Sequence, residues 1–559
     1  MLDSAAVSAP PRSGLVARAV AAVRRQPALS LTVALLWAMT LWPIWRPRFL
    51  PLLDLPNHLD AIAIWHRYSD PSWGYQRYYK LNLLPLPYWG YFFPVHLLSY
   101  LLPIELANKV YLSLYALLLP LGAMSLARRT GRSPWLALLV FPLVFNFNFQ
   151  LGFITFCAGI ALMLFAFSAL DRFLEAPTRR GAIALFALTT FLYLTHVLPW
   201  LFFGVAALPW LFFHGWRPRR IAAAAGLMLP SVILGVLAFR ASQDGTTHVQ
   251  AGPLEYKAGY EPITAALEQV VHRLVATWPA DRPFYFIVAF ALAWLLLMAS
   301  SRPDPDAAPR PGFAYRLEVL VVLAVLAALF LPMHLFKPVD LWMIGGRFVS
   351  VAAILLALLP RGPLVGRGSG WRALVLVPVV AIHVLYSAGL ARQWLEFDRR
   401  VASFRRLARR IPRGSSTLTL VIGELSDPSV EYQAVPYVQF HAYAQLFGGG
   451  FDPWALNTGF PMVARPEARL PAPRWKQPHD FRFDAHGVYY DFVLIRSESF
   501  DHQAFGPDGA GRAPLVGHEG DWRLYQIRDP IPPPPPGHGM DSPEALSPAE
   551  PAPPAAPAP

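Results

Sequence analysis

The sequence predicts an α-helical polytopic membrane protein with a small α/β domain after the last span. Three observations carry this. Of 559 residues, 55% are hydrophobic and only 15% charged, against about 25% charged in a soluble globular domain. Apolar runs close to the ~20 residues needed to cross a bilayer recur between residues 28 and 390. The basic residues sit in short clusters between those runs, as topology signals do. A soluble enzyme, a fibrous chain and a disordered chain are excluded. The net charge of +13 is then an orientation signal rather than a nucleic-acid footprint.

The chain opens with a short segment, 1–27, that carries Arg12, Arg18, Arg24 and Arg25. The apolar run 28–45 lacks a small-residue cleavage site and is followed by Arg46, so it reads as an uncleaved first span. Further spans are predicted near 105–127, 134–149, 153–171, 181–196, 197–215, 221–239, 284–300, 317–333, 347–360 and 372–390, about 11 in all. The connections 128–133, 171–181, 216–221, 301–316 and 361–372 are basic. They alternate with connections 146–152 and 195–199, which hold no Lys or Arg. Basic loops stay in the cytoplasm. The N-terminus is therefore cytoplasmic, and the outer side receives loop 46–104, loop 240–283, loop 334–346 and everything after 390. Such a protein belongs in a bacterial cytoplasmic (inner) membrane.

One segment tests this scheme. Residues 86–104 are apolar enough to span, which would invert every later loop. Pro87, Pro94, His96 and Pro103 favour an interfacial or re-entrant segment on the outer side instead. After 390 the composition changes. An Arg-rich helical stretch, 391–410, precedes β-like runs at 417–422, 487–495 and 521–527. These define an α/β domain over 391–530. The Pro-rich tail 531–559 reads as disordered. The single Cys157 excludes an intramolecular disulfide.

Polar groups beside hydrocarbon are expensive, so polar clusters at span ends are functional candidates. Asp54, Asn57, His58 and Asp60 follow the first span. Asp54 before Pro56 also reads as an ordinary helix N-cap. Asn146, Asn148 and Gln150 interleave with Phe145, Phe147, Phe149 and Phe153 at a non-basic turn. They suit sugar hydroxyls and sugar faces, or a turn whose amides satisfy helix ends. Thr195 and His196 occupy the next outer turn, where a lone His also reads as a structural hydrogen-bonder. His334, Lys337, Asp340 and Gly345-Gly346-Arg347 form the last cluster. Arg347 there suits a phosphate or pyrophosphate, or snorkels to headgroups. Lys109 is either an ion-pair partner of Glu105 or another phosphate contact.

No nucleotide-binding loop, HExxH or cysteine metal site is present in the sequence. No metal site is predicted. Asp54, His58 and Asp60 leave open a divalent cation shared with a lipid phosphate, at a spacing that is not specific. No nucleic-acid partner is expected; membrane lipids are. An activated group must come from elsewhere, from a lipid-linked donor or an ion gradient.

The first span, the acidic motif in the first outer loop, the interfacial segments and the C-terminal extracytoplasmic domain resemble the GT-C glycosyltransferases. Relatives there include the protein O-mannosyltransferases and the lipid A aminoarabinose transferases. The run Asp54-Leu-Pro-Asn-His58, then Phe149-Gln-Leu-Gly-Phe153, then Thr195-His196 is similar to poorly characterised bacterial GT-C-like membrane proteins. The resemblance covers roughly 28–390. It implies transfer of a sugar from a polyprenyl-phosphate or pyrophosphate donor to an unknown acceptor on the outer face. It makes Asp54 the general base on the acceptor hydroxyl. Arg347, with Lys109, neutralises the departing lipid phosphate. His58, Asp60, Asn148, Gln150 and His196 orient sugar or acceptor. The chain departs from better-known members in lacking an Asp-Glu pair in the first loop. Two other classes fit the composition: a transporter or flippase of amphiphiles, and a non-enzymatic scaffold presenting 391–530. A transporter calls for inverted repeats and midplane charges, and neither is evident in the sequence.

Overall fold

The computed structural model describes residues 23–24, 26–84, 86–243, 257–274, 282–302, 312–337, 341–365, 370–428, 430, 435–455, 461–497 and 505–532. The tail beyond 532, most of segment 1–27 and parts of loops 240–283 and 301–316 lie outside the described residues.

Helices dominate. In chain order the main ones are α1 (Pro27–Trp45), α2 (Leu55–Arg67), α3 (Trp89–Leu98), α4 (Ile104–Arg129), α5 (Ile154–Glu175), α6 (Arg179–Thr195) and α7 (Val197–Trp210). They continue with α8 (Pro218–Gln243), α9 (Arg282–Ala299), α10 (Arg316–Phe330), α11 (Ile344–Ala357), α12 (Leu376–Arg400), α13 (Ala402–Ala408) and α14 (Phe440–Gly448). Among the described residues, five helices are long and apolar enough to cross a membrane: α1, α4, α5, α8 and the stretch Gly370–Arg400 that contains α12. The chain is a multi-pass membrane protein.

The structure departs from the expected set of spans. The run predicted at 134–149 is a 3-10 helix, Pro134–Leu143, followed by a single α-turn, Phe147–Gln150. Pro142, inside the run, removes an amide donor that a regular α-helix would use. Helices α7 and α11 have 14 residues each, about 21 Å at 1.5 Å per residue and short of a ~30 Å hydrocarbon core. Segment 86–104 contains α3, a ten-residue helix about 15 Å long, too short to span. Phe93, Leu97, Tyr100 and Leu101 on this segment are exposed, while Tyr91, Phe92 and Val95 are buried against neighbouring helices.

Helix α5 is the axis of the bundle. It packs against α4, α6 and α7, and nearly all its residues are buried. Gly122 of α4 permits this close approach: a Cβ there would lie 2.9 Å from the Ala161 carbonyl oxygen of α5. Helix α8 lies at the periphery, with Leu229, Val232, Ile233, Val236 and Leu237 exposed. Such a surface belongs against lipid chains.

Strands are short. They are β1 (Tyr79–Leu81), β2 (Lys257–Gly259), β3 (His334–Lys337), β4 (Leu341–Trp342), β5 (Thr417–Val421), β6 (Met462–Ala464), β7 (Phe492–Arg496), β8 (Leu515–Glu519) and β9 (Trp522–Gln526). The region after α12 carries a four-stranded sheet in the order β5-β7-β9-β8. Only β5 and β7 run parallel. Helix α13 packs on β8 and β9, and α14 packs on β5 and on α2. Strand β1, from the first outer loop, pairs with β6. Thus the C-terminal region is stitched to the segment that follows α1. The expected boundary at 390 falls inside α12, because 390–400 consist of residues that extend a helix without a Gly or Pro to stop it.

Candidate active site

Asp54 occupies the N-cap position of α2, yet its side chain makes no capping bond. The carboxylate is therefore not consumed by the helix end. Its backbone is pinned to the turn between the Phe147–Gln150 helix and α5. Leu53 N–H donates to Gln150 O and Asp54 N–H to Leu151 O, each at 3.1 Å. The turn is closed by Gly152 in the left-handed region, φ +79. A Cβ on Gly152 would stand 2.7 Å from Asp54 N, so only glycine admits this approach. The residue keeps partial exposure. Burial pushes its carboxyl up to about 6, against the pull of Arg347 and Lys476 and of the nearby Gln439 side chain.

Arg347 ends the first turn of α11, where the helix dipole disfavours a cation. It is held nevertheless. Nη2 donates to Trp342 O at 2.8 Å, and the guanidinium lies 3.8 Å from the Phe153 ring centroid. Asn148 Nδ2 donates to Arg347 O at 3.2 Å and to Ser350 Oγ at 2.8 Å, which pins this turn of α11. His196 bridges α6 and α7. Its Nδ1 accepts from Leu198 N–H at 3.1 Å, capping α7. That leaves the imidazole proton on Nε2. Nε2 stands 3.3 Å from Arg347 Nη1, so a donor faces a donor. An oxygen anion between them would satisfy both.

Two further groups complete the constellation, and sequence reading missed both. Lys476 comes from the C-terminal region and is an electrostatic neighbour of Asp54. Burial holds its ammonium pKa below the usual lysine range, and Asp54 opposes this. Tyr88 faces Arg347 and Asp54, and its ring packs edge-on to His196 at 5.3 Å. The described residues include four non-glycine residues with positive φ: Tyr88, Met343, Lys476 and Asp529. Tyr88 and Lys476 border Asp54, and Met343 is the N-cap of the helix carrying Arg347. Strain of this kind costs about 1–3 kcal/mol per residue and collects at functional sites. Lys476 sits in the third position of a turn closed by Gln477 N–H to Arg474 O at 3.0 Å, a place that normally takes glycine.

The remaining predicted residues divide. Asn148 supports Arg347 from behind, as described. Gln150 is fully buried, and neither of its amide atoms has a hydrogen-bond partner among the described residues. His58 is buried against the rings of Tyr91 and Phe92 and bonds to the Gly152 backbone. Burial lowers its pKa to about 4, so it is neutral at pH 7. Asp60 faces Asp452 and Arg67 instead of Asp54. Burial, then the Asp452 charge, raises its pKa well above the carboxylate range. Lys109 is spent on the carbonyls of Pro47 and Trp45 at the end of α1, and Glu105 pairs with Arg48 at 3.8 Å. Asp54, His58 and Asp60 thus face three different sets of partners. His334 stacks on Phe336 at 3.8 Å; Asp340 and the side chain of Lys337 lie outside the described residues. Among the described residues, no three His, Cys, Asp or Glu side chains gather as metal ligands.

No family model matches the sequence, and no curated protein sequence matches it. Solved structures do. Apo ArnT from Cupriavidus metallidurans is 11% identical with a TM-score of 0.50, over 91% of this chain and 100% of that one. ArnT from the same organism bound to undecaprenyl phosphate is 14% identical with a TM-score of 0.48, over 90% and 99%. Arabinofuranosyltransferase AftD from mycobacteria is 13% identical with a TM-score of 0.48, over 89% of this chain and 41% of that one. By its likeness to apo ArnT along nearly the whole length, the chain has a GT-C-like fold.

Proposed function

We propose that the chain is a membrane glycosyltransferase. It moves a sugar from a polyprenyl-phosphate donor to an acceptor hydroxyl on the outer face of a bacterial inner membrane. One observation carries this reading: a single half-open carboxylate, Asp54, lies beside two cations, Arg347 and Lys476, from opposite parts of the chain. ArnT, whose apo form supplies the fold likeness, has also been solved bound to undecaprenyl phosphate. A lipid phosphate is the ligand class that the two cations suit.

The charges support a monophosphate donor. Two cations and one carboxylate leave one positive charge, which a phosphodiester monoanion neutralises. In the reaction, Asp54 takes the proton of the acceptor hydroxyl. The acceptor oxygen bonds to the anomeric carbon, and the bond from that carbon to the phosphate oxygen breaks. Its electron pair leaves with the lipid phosphate, which becomes a dianion. Asp54 is now neutral, and the two cations match the two negative charges. Net charge at the site stays at zero throughout, which a site of low dielectric favours. His196 Nε2–H and Arg347 Nη1, the facing donors, are placed to share a phosphate oxygen. The proposed orientation draws support from α5, which begins beside Asp54 and carries Asp171 about 26 Å further along. Asp171 there binds Arg129, Arg316 and His214, so the basic cluster and the site lie at opposite ends.

Native mass spectrometry of the purified protein with added undecaprenyl phosphate tests this. Wild type is expected to retain the lipid, and Arg347→Ala and Lys476→Ala to lose it. Equal retention by all three would remove the lipid-phosphate site.

A further inference from the structure

A second set of buried polar groups lies behind Arg347. Three elements pack on one another there: the Phe147–Gln150 helix, α11 and the short helix Val270–Leu274 of loop 240–283. Arg273 is 2% exposed. Its Nη2 donates to both oxygens of Glu261, each at 2.7 Å, and to Gln269 Oε1 at 3.0 Å. A Cβ on Gly346 would stand 3.3 Å from Arg273 Nε and 3.4 Å from Cζ. The guanidinium therefore lies against the first turn of α11, one residue before Arg347. Asn148 meets the same face of α11. Its Nδ2 donates to Ser350 Oγ at 2.8 Å, and Ser350 stands one helical turn beyond Gly346. Gln150 O accepts from Leu53 N–H at 3.1 Å, which brings this junction up to Asp54.

Each of the three elements carries a buried polar atom with no hydrogen-bond partner among the described residues. These atoms are Arg273 Nη1, Arg347 Nε, Asn148 Oδ1 and both amide atoms of Gln150. Buried donors and acceptors are costly to leave unpaired, and native proteins pair nearly all of them. The kinds of atom say what would pair them. Nη1, Nε and the Gln150 NH2 group donate, and the two amide oxygens only accept. A phosphate diester also only accepts, so it would leave the amide oxygens unmet. A hydrocarbon chain would meet none of these atoms. Hydroxyl groups both donate and accept, so a ring that carries several can meet them all. Glu261 already balances the charge of Arg273, so the junction calls for no ion.

We propose that Arg273, Asn148 and Gln150 form the subsite for the donor sugar, and that this sugar is uncharged and rich in hydroxyls. This rests on the reading of Arg347 as a ligand of the lipid phosphate. The anomeric carbon is one bond from a phosphate oxygen, so the ring lies next to whatever holds the phosphate. Arg347 Nη1 faces His196 on the phosphate side. The junction adjoins the same residue at Gly346, at the Arg347 carbonyl and at Ser350. Asn148 and Gln150 supply the acceptors there, and Arg273 adds the donor fork. The Glu261 pair sets the class of sugar. A uronic acid would find the positive charge of Arg273 already spent on Glu261, and an amino sugar would meet that cation with its own.

Native mass spectrometry of the full chain in detergent tests this. The probes are undecaprenyl phosphate alone and undecaprenyl phosphate carrying glucose, mannose, galactose, arabinose, N-acetylglucosamine or aminoarabinose. Wild type is expected to retain at least one uncharged glycolipid about tenfold better than the bare lipid, and the aminoarabinose lipid no better. Gln150→Met keeps the side-chain length and removes the amide. Arg273→Lys keeps a positive charge beside Glu261 and removes Nη1. Each is expected to cut the preference by about tenfold, with retention of bare undecaprenyl phosphate unchanged. If Arg273→Lys elutes as an aggregate, Gln150→Met decides. Equal retention of bare lipid and every glycolipid by wild type overturns the sugar subsite and leaves the phosphate site, with water pairing these atoms. A preference for aminoarabinose overturns the uncharged class. A preference that survives both substitutions overturns the assignment to these residues. Failure of wild type to retain any probe, bare lipid included, overturns the phosphate reading and this inference with it.

Discussion

At the scale of the residue, the proposed role of Asp54 as base sets catalysis against stability. Its folded pKa of about 6 lies above the ordinary 3.8. The folded protein therefore binds this proton more tightly than the unfolded chain, so Asp54's contribution to stability falls as pH rises from 3.8 to about 6. The loss is about 3 kcal/mol above that range. A general base needs the opposite state. Transfer activity should rise with pH through about 6. Asp54→Asn should abolish transfer, by about 100-fold or more, while its melting temperature at pH 7 is no lower than wild type. Parallel transfer assays and thermal melts check both. A melting temperature well below wild type would show that the carboxylate is a structural anchor. Asp54, His196 and Arg347 are legible in the sequence because each stands where a predicted span meets an outer turn. Lys476 and Tyr88 are not. A lysine in Arg-Trp-Lys-Gln-Pro carries no sign of positive φ, and its approach to Asp54 depends on contacts hundreds of residues apart. Asp60 and Lys109 look like neighbours of the site in sequence, but side-chain direction along α2 and α4 takes them to other partners.

At the scale of the element, the turn before α5 is the hinge of the arrangement. Gly152 lets the turn touch the backbone of Asp54, and the Phe147–Gln150 helix before it carries Asn148 to α11. Gly152→Ala is expected to cost about 1–3 kcal/mol, from positive φ and from the clash with Asp54. It should also displace the carboxylate from Arg347 and Lys476, so the pH midpoint of carbodiimide labelling at Asp54, which reports its pKa, should change together with the melting temperature. A fall in melting temperature with an unchanged midpoint would mean that the turn supports the bundle but not the site. Apolar run length located most helices here yet gave no sign of the 3-10 run Pro134–Leu143. An apolar run buried on every side shows no face, and length alone suggested a span. Pro142, inside the run, was the available signal. The boundary at 390 divides one helix, although 391–410 reads as helical. Arg-rich composition marks emergence from lipid, but it does not stop a helix.

At the scale of the molecule, two polar assemblies lie at opposite ends of α5. One holds Asp54, Arg347, His196 and Lys476. The other joins Asp171 to Arg129, Arg316 and His214, with Arg132, Glu318 and Arg361 forming a second ion-pair group on nearby helices. Arg129, Arg132, Arg316 and Arg361 lie in or beside the short basic loops that orient the chain. If those loops face the cytoplasm, the C-terminal sheet and the site face outward, where lipid-linked sugars and acceptors meet. Cysteine accessibility in intact cells tests this, because the one native thiol, Cys157, is buried. Leu515→Cys, on the exposed face of β8, should react with a membrane-impermeant maleimide before lysis. Arg179→Cys, exposed at the start of α6, should react only after lysis. The reverse pattern would place the basic loops outside and the site within the cytoplasm. An outer-face acceptor would then be impossible, whatever Asp54 and Arg347 bind.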